Sequence, residues 1–220
     1  MNISKSKDIL DYWFSKGLYT PDYDKWFMKS QDYDEEIKDK FGDVLKEAEQ
    51  GKGFGWLHTK DSYVAYIILL DQFSRHIYRG SGDSFKNDTG VMIFTELGFE
   101  LYKDQLKGYE FMFAFMPFMH TENTAFQQHG ESYFKAQKML YTNKRCSGFF
   151  YRPLSPDNSK LTNYDKEYEM LKQMEPHHIG HLQTFVAFKR FPKRNEALGR
   201  ESTPQEISYM ERPEVKKRPY

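Results

Sequence analysis

The chain has 220 residues, of which 39% are hydrophobic and 17% aromatic, so it is long and apolar enough to bury a substantial core. Its 32 basic and 32 acidic residues give a net charge of zero, and no overall field steers it toward nucleic acid or an anionic membrane. Cys146 is the single cysteine, which excludes an intrachain disulfide and gives no indication of a thiolate metal site.

The N-terminal sequence MNISKSKDILDYWFSKG lacks the apolar stretch of a signal peptide, and its acidic residues argue against a transit peptide. No segment reaches the roughly 18 apolar residues of a membrane span. We therefore expect a cytoplasmic protein with no membrane partner and no nucleic-acid partner.

Apolar residues recur at helical spacing along nearly the whole chain. Helices are predicted in ISKSKDILDYWFSK and in DYDEEIKDKFGDVLKEAEQ, the second ending at the glycines of GKGFG. A phosphate loop opens a helix after a strand, whereas residues 51–55 follow a predicted helix. GKGFG is therefore interpreted as a turn.

Two later segments are apolar on all sides, which is typical of buried helices. YVAYIILLDQF predicts the central, most buried helix, capped by Asp61 or Ser62. VMIFTELGFELYK predicts another helix, and YEFMFAFMPF a further buried one that breaks at Pro117.

The C-terminal third combines helices with irregular sequence. TENTAFQQHGESYFKAQKML predicts a helix capped by Thr121, and residues 141–163 predict a loop insertion. A long helix is predicted from about Tyr164 to Phe191 with an interruption at Pro176, then a short capped helix in STPQEISYM. Together these elements predict one all-α domain of about eight helices over residues 1–211, followed by a charged tail, 212–220, expected to be frayed.

Polar residues end the predicted central helix, in DQFSRHIYRG. Asp71, Arg75 and Arg79 recur every four residues and share one helix face, with His76 on an adjacent face. Asp71 is placed to balance Arg75, which leaves Arg79 in need of another acid or a bound anion.

Two further segments bring polar groups next to apolar helices. MPFMHTEN carries His120 and Glu122 after a phenylalanine-rich run, and KRFPKRNEALGRESTPQE carries Arg190, Arg194 and Asn195 around a proline.

Three of these segments, DQFSRHIYRG, PFMHTE and RFPKRNEALGRESTPQE, are similar to patterns of the bacterial domain-of-unknown-function 924 family, approximately DQFPRNIFRG, PFxHSE and RFPHRNxxLGRxSTxEE. They occur in the same order, and the resemblance covers roughly residues 5–210. It implies an all-helical, tetratricopeptide-like fold with antiparallel helix packing, and it names no function. The chain departs from the patterns at Ser74, His76 and Lys193, and Leu182 and Lys189 replace an expected arginine and glycine.

Because tetratricopeptide-like arrays usually present a concave groove, the resemblance favours a binding role. The first hypothesis is a groove that holds a small anionic ligand or a peptide carboxylate or phosphate, since arginine forks suit such groups. Its candidate residues are Asp71, Arg75, His76, Arg79, His120, Arg190, Arg194 and Asn195. The structural alternative is that these arginines pair with Asp71, Glu122 and Glu196 and only tie the segments together.

The second hypothesis is a hydrolase or lyase with His120 and Glu122 as acid and base. No clear nucleophile is present, so whether the chain is an enzyme stays open. In EPHHIGH, His177 and His181 are four residues apart, but the acid of His-Glu-x-x-His is missing. We therefore predict no metal and no cofactor, and the sequence does not fix the oligomeric state.

Overall fold

The computed structural model describes residues 5–51, 53–146 and 162–216, without the side chains of residues 143–146. Within these ranges every regular element is helical, and eight helices have seven or more residues. The prediction of an all-α fold with about eight helices is therefore confirmed. The tetratricopeptide-like arrangement and the single-domain organisation stay predictions.

The described α-helices are, in chain order, α1 (Lys5–Trp13), α2 (Tyr23–Phe27), α3 (Gln31–Glu49), α4 (Lys60–Ile67), α5 (Ser74–Ile77), α6 (Val91–Tyr102), α7 (Tyr109–His120), α8 (Thr124–Cys146), α9 (Asn163–Phe188), α10 (Pro204–Met210) and α11 (Pro213–Lys216). A π-helical stretch, Ile68–Phe73, joins α4 to α5, and short 3-10 turns lie at Phe54–Leu57, Gly82–Phe85 and Pro192–Arg194.

The central helix is α4 with the π-helical stretch that continues it. Its side chains from Ser62 to Phe73 are all buried, and it packs against α1, α6 and α7, as its all-round apolar sequence predicts. Its cap is Thr59, whose hydroxyl accepts from the backbone N–H of Ser62 while the Ser62 hydroxyl accepts from that of Thr59. Neither Asp61 nor Ser62 is the cap residue, because the helix begins two to three residues earlier than predicted.

Aromatic rings fill the space between α1, α2, α7 and the central helix. The fully buried ring of Phe113 lies 5.4 Å from that of Trp13 and 5.0 Å from that of Trp26, in steep orientations. Trp13 also contacts Phe73 at 5.3 Å. Edge-to-face packing of this kind stabilises a core beyond its area burial.

Both predicted proline breaks are wrong. Helix α7 continues past Pro117 to His120, and α9 runs through Pro176 and ends at Phe188 rather than Phe191. A proline removes one backbone donor, but Pro117 lies in the last turn of α7, where its carbonyl still accepts from Thr121 N at 3.0 Å. Packing of the two helices against the core overrides the local penalty.

Three other predicted boundaries also change. Helix α8 extends to Cys146 and α9 begins at Asn163, so both ends of the predicted loop 141–163 are helical, while residues 147–161 lie outside the described residues. The α8 cap is Asn123, whose Oδ1 accepts from Ala125 N at 2.9 Å, rather than Thr121. In the predicted tail, residues 213–216 form α11 and Val215 is buried.

No helix in the described ranges is both long and apolar enough to cross a bilayer. The cytoplasmic location stays a prediction. The π-helical stretch, the C-terminus of α7 and the middle of α9 meet at one end of the core, and this meeting point positions the site.

Candidate functional site

The site is built around a buried pair, Asp71 and His120. His120 is the last residue of α7, and its Nδ1 lies 2.8 Å and 3.0 Å from the two carboxylate oxygens of Asp71. Burial acts to raise the pKa of Asp71, but the contacts with His120 and Arg75 together outweigh burial and lower this pKa from 3.8 to about 2. The carboxylate is therefore ionised near pH 7. An ionised carboxylate only accepts hydrogen bonds. Nδ1 of His120 therefore carries the proton, and its Nε2 is left for another partner.

The π-helical stretch places Asp71 at this position. A π-turn widens the helix and re-aims its side chains, and such turns are frequent at functional sites. Gln72 Nε2 donates to Asp71 Oδ2 at 2.5 Å and lies 3.6 Å from Met116 Sδ, which joins the central helix to α7.

A second buried group consists of Arg75, Asp88 and Arg194. Arg75 Nη2 donates to Asp88 Oδ1 at 2.7 Å, and Arg194 Nη1 donates to Asp88 Oδ2 at 2.8 Å. Both guanidiniums lie over the ring of Phe85. Asp71 is 3.7 Å from Arg75, so the predicted i, i+4 pair exists, but Asp88 is the closer acid.

Arg79 and His76 lie elsewhere, against α3. Arg79 donates from Nε and Nη2 to the two oxygens of Asp34, at 2.5 Å and 2.8 Å. His76 Nδ1 is 2.8 Å from Asp34 Oδ1, and burial lowers the pKa of His76 below its ordinary value. The sequence left either an acid of the chain or a bound anion as the partner of Arg79, and the structure places the acid Asp34 there.

The third segment forms its own ion pair. Arg190 donates from Nε and Nη2 to the two oxygens of Glu206, at 2.6 Å and 2.7 Å, and this pairing lowers the pKa of Glu206 to about 2. Asn195 Nδ2 donates to Ser202 Oγ at 3.0 Å, so it fixes the turn before α10.

Glu122 faces away from His120. The intervening Thr121 is extended, and Glu122 accepts from Phe191 N at 2.7 Å and from Arg200 Nη1 at 2.5 Å. Glu122 lines a separate open cleft of about 560 Å³ together with Arg194. The carboxylate that His120 contacts is therefore that of Asp71, and the acid–base roles of His120 and Glu122 stay a prediction.

All four candidate arginines, Arg75, Arg79, Arg190 and Arg194, have carboxylate partners within the chain. Each already binds a carboxylate of the chain, and the acids involved are Asp34, Asp88 and Glu206. Pairing of these arginines with acids of the chain is what the structural alternative predicts, although most of the acids differ from the predicted ones. Of the predicted partner acids, Asp71 lies 3.7 Å from Arg75, and Glu122 binds Arg200 of the third segment.

A cavity of about 670 Å³ lies between α7 and α9. Five methionines line it: Met112, Met116, Met119, Met170 and Met174. Tyr209 and Val215 contribute to its wall from α10 and α11, and His120 and His181 are among its polar lining residues. The Nε2 of His120 thus belongs to a histidine that faces a largely apolar space.

His181 comes from the middle of α9. Its ring centroid lies 5.7 Å from that of His120 and 5.5 Å from that of Phe191. Burial is the largest cause that lowers the pKa of His181 well below its ordinary value, and the neighbouring His120 and Arg194 act in the same direction. His181 is therefore neutral near pH 7, and within the described residues no hydrogen bond involves its ring.

The other histidines of EPHHIGH have different surroundings. His177 lies at the exposed edge of the cavity, and His178 is buried with its Nε2 2.8 Å from Glu131 Oε2. In the part of the chain that the structure describes, no three His, Cys, Asp or Glu side chains are grouped to hold a metal ion. The absence of a metal stays a prediction.

Sequence reasoning missed the cavity, although a signal for it exists. Met112, Met116 and Met119 follow one another at spacings of four and three on α7, and Met170 and Met174 are four apart on α9. Two methionine stripes on helices that pack together indicate a soft, adaptable wall.

Three comparisons with known proteins bear on the whole chain. A family model described as "Bacterial protein of unknown function (DUF924)" matches residues 9–214. A solved structure of a protein of unknown function from Agrobacterium tumefaciens has a TM-score of 0.69 and 29% sequence identity, over 94% of this chain and 97% of that chain. No curated protein matches significantly. The comparisons support the fold and transfer no activity.

Proposed function

The chain belongs to the DUF924 family of bacterial proteins, whose description assigns no function, and we therefore propose one from the site alone. We propose that the cavity between α7 and α9 binds a small, predominantly apolar molecule whose polar group lies between His120 and His181. The observation that carries this proposal is a methionine-lined cavity that contains a histidine anchored by a buried carboxylate.

The size and the lining of the cavity both support a small-molecule ligand. Its volume of about 670 Å³ lies within the roughly 300–1,000 Å³ of typical ligand pockets, which are mostly apolar with a few placed polar groups. Thioether side chains are flexible and polarisable, so five of them adapt their shape to an apolar guest.

An anion bound by the four arginines has weaker support. A ligand at Arg75, Arg79 or Arg194 must compete with a carboxylate that is already hydrogen-bonded to that guanidinium. Breaking a buried pair of this kind costs about 3–5 kcal/mol. The observations therefore favour the cavity over the predicted arginine groove.

The test is a fluorescence titration with N-phenyl-1-naphthylamine, a neutral apolar dye that brightens when it leaves water. Wild type is compared with a Met170→Trp/Met174→Trp double variant, which fills the cavity from α9. A Met139→Trp variant is the matched control, because Met139 is exposed on α8 and does not line the cavity. We expect binding by wild type and control only; equal binding by the double variant refutes the proposal.

One observation favours a second candidate function, a hydrolase. Asp71 fixes the tautomer of His120 so that Nε2 faces the cavity, which is the arrangement of a general base oriented by an acid. Asp71 takes the orienting role in this version, and water is the nucleophile. Phosphoesters, esters and amides are screened with wild type and His120→Gln, and equal rates remove His120 from any mechanism.

A further inference from the structure

We infer that the cavity's ligand is a neutral molecule with a hydroxyl group, an alcohol or a phenol, which is held between the rings of His120 and His181. This inference rests on the proposed function and specifies the chemical class of its ligand. It follows from the hydrogen-bonding capacity of the two rings and from the charges around them.

His120 presents an acceptor to the cavity. Its Nδ1 contacts the two oxygens of Asp71 at 2.8 Å and 3.0 Å, so the neutral form of the ring has its proton on Nδ1 and its lone pair on Nε2. A ligand atom that satisfies this lone pair must carry a proton to donate. Hydroxyl groups do so, whereas ethers, esters and ionised carboxylates do not.

His181 complements this acceptor. A neutral imidazole has one N–H donor and one acceptor nitrogen, and the only ring contacts of His181 within the described residues are with His120 and Phe191. The two imidazole centroids are 5.7 Å apart, close enough for one oxygen atom to reach a nitrogen of each ring at hydrogen-bond distance. A hydroxyl donates to His120 and accepts from His181 at the same time.

Charge disfavours an anionic ligand. The buried acids Asp71 and Asp88 balance the buried arginines Arg75 and Arg194, so this group has no excess positive charge. The one permanently charged side chain among the described residues that line the cavity is Lys193, and it already has an interaction within the chain. A carboxylate loses its hydration on entry, and ionised Asp71 lies directly behind His120.

The experiment is displacement of N-phenyl-1-naphthylamine from the wild-type protein by three compounds of equal chain length. 1-Octanol offers the hydroxyl, methyl octyl ether lacks the donor, and octanoate supplies the anion. The titrations are run at about pH 8.5, where octanoate is ionised. We expect the concentration for half displacement to be about tenfold lower for 1-octanol than for either other compound.

A His181→Phe variant tests the assignment to the two rings, because it keeps an aromatic ring next to Phe191 and loses both nitrogens. We expect it to bind the dye and to lose the preference for 1-octanol over the ether, whereas His177→Phe, at the exposed edge, keeps it. Octanoate or the ether displacing the dye as well as 1-octanol overturns the inference and leaves the proposed function intact. Failure of the dye to bind the wild-type protein refutes the proposed function, and this inference with it.

Discussion

Asp88 is the carboxylate on which two buried arginines depend, and replacing it tests the electrostatic account of the fold. Its oxygens bind Arg75 at 2.7 Å and Arg194 at 2.8 Å, and the exposed fractions of the three side chains are 8%, 10% and 6%. Asp88→Asn preserves the shape and removes the charge. Two cations then remain in the core without this carboxylate. Asp71 is 3.7 Å from Arg75, and Glu122 lines the same cleft as Arg194.

Removing one partner of a buried ion pair costs about 3–5 kcal/mol, because the other charge is left uncompensated. Arg75 also donates to the Ser84 carbonyl, which reduces its share of the loss. We therefore expect Asp88→Asn to lower the free energy of unfolding by about 3 kcal/mol, measured by urea denaturation at pH 7.

The matched control is Asp83→Asn. Asp83 lies five residues before Asp88 and is exposed. Its replacement by Asn changes the net charge by the same amount as Asp88→Asn but leaves no buried cation without its carboxylate. We expect a change within about 0.5 kcal/mol for this variant. A loss below about 1 kcal/mol for Asp88→Asn refutes the argument that this carboxylate holds the two guanidiniums in the core.

Three further predictions concern other parts of the fold. Lys189 is the C-terminal cap of α9 and has a φ of 57°. Lys189→Gly removes the left-handed strain and should raise the free energy of unfolding by about 1 kcal/mol. A lower melting temperature for this variant contradicts the prediction. Phe113→Ala empties the centre of the aromatic core and costs about 3–5 kcal/mol by urea denaturation, and a loss below about 1.5 kcal/mol shows that the core refills the space. The pKa of Asp71 is lowered from 3.8 to about 2, so its contribution to stability is complete above about pH 5 and declines as pH falls toward 2. Stability of Asp71→Asn should therefore fall less steeply than that of wild type over this range, and parallel curves exclude Asp71 as a source of acid sensitivity.

Local signals in the sequence predict the helices well, because helical spacing and caps act within a few residues. The buried run from Ser62 to Phe73 appears where its all-round apolar pattern predicts it. The short helix after Thr203 has the capping box that STPQE predicts. Lys189 occupies a left-handed position, which gives a physical reason for the glycine that the family pattern has there.

Long-range partners account for most of what sequence reasoning missed. Spacing along one helix reveals Asp71 beside Arg75, but Asp88 and Arg194 are 106 residues apart, and Asp34 is 45 residues from Arg79. Only packing of the helices brings such groups together. The same packing keeps α9 continuous at Pro176, where local propensity alone predicts a break.

The cavity itself is tested most directly by NMR on protein labelled with ¹³C at the methionine methyl groups. The five cavity methionines line one space, whereas Met28 and Met139 are 59% and 62% exposed and are not among the residues that line it. On addition of 1-octanol, we predict shifts of the signals from Met112, Met116, Met119, Met170 and Met174, with Met28 and Met139 unchanged. Unchanged cavity signals, or shifts confined to the two exposed methionines, contradict a ligand site between α7 and α9.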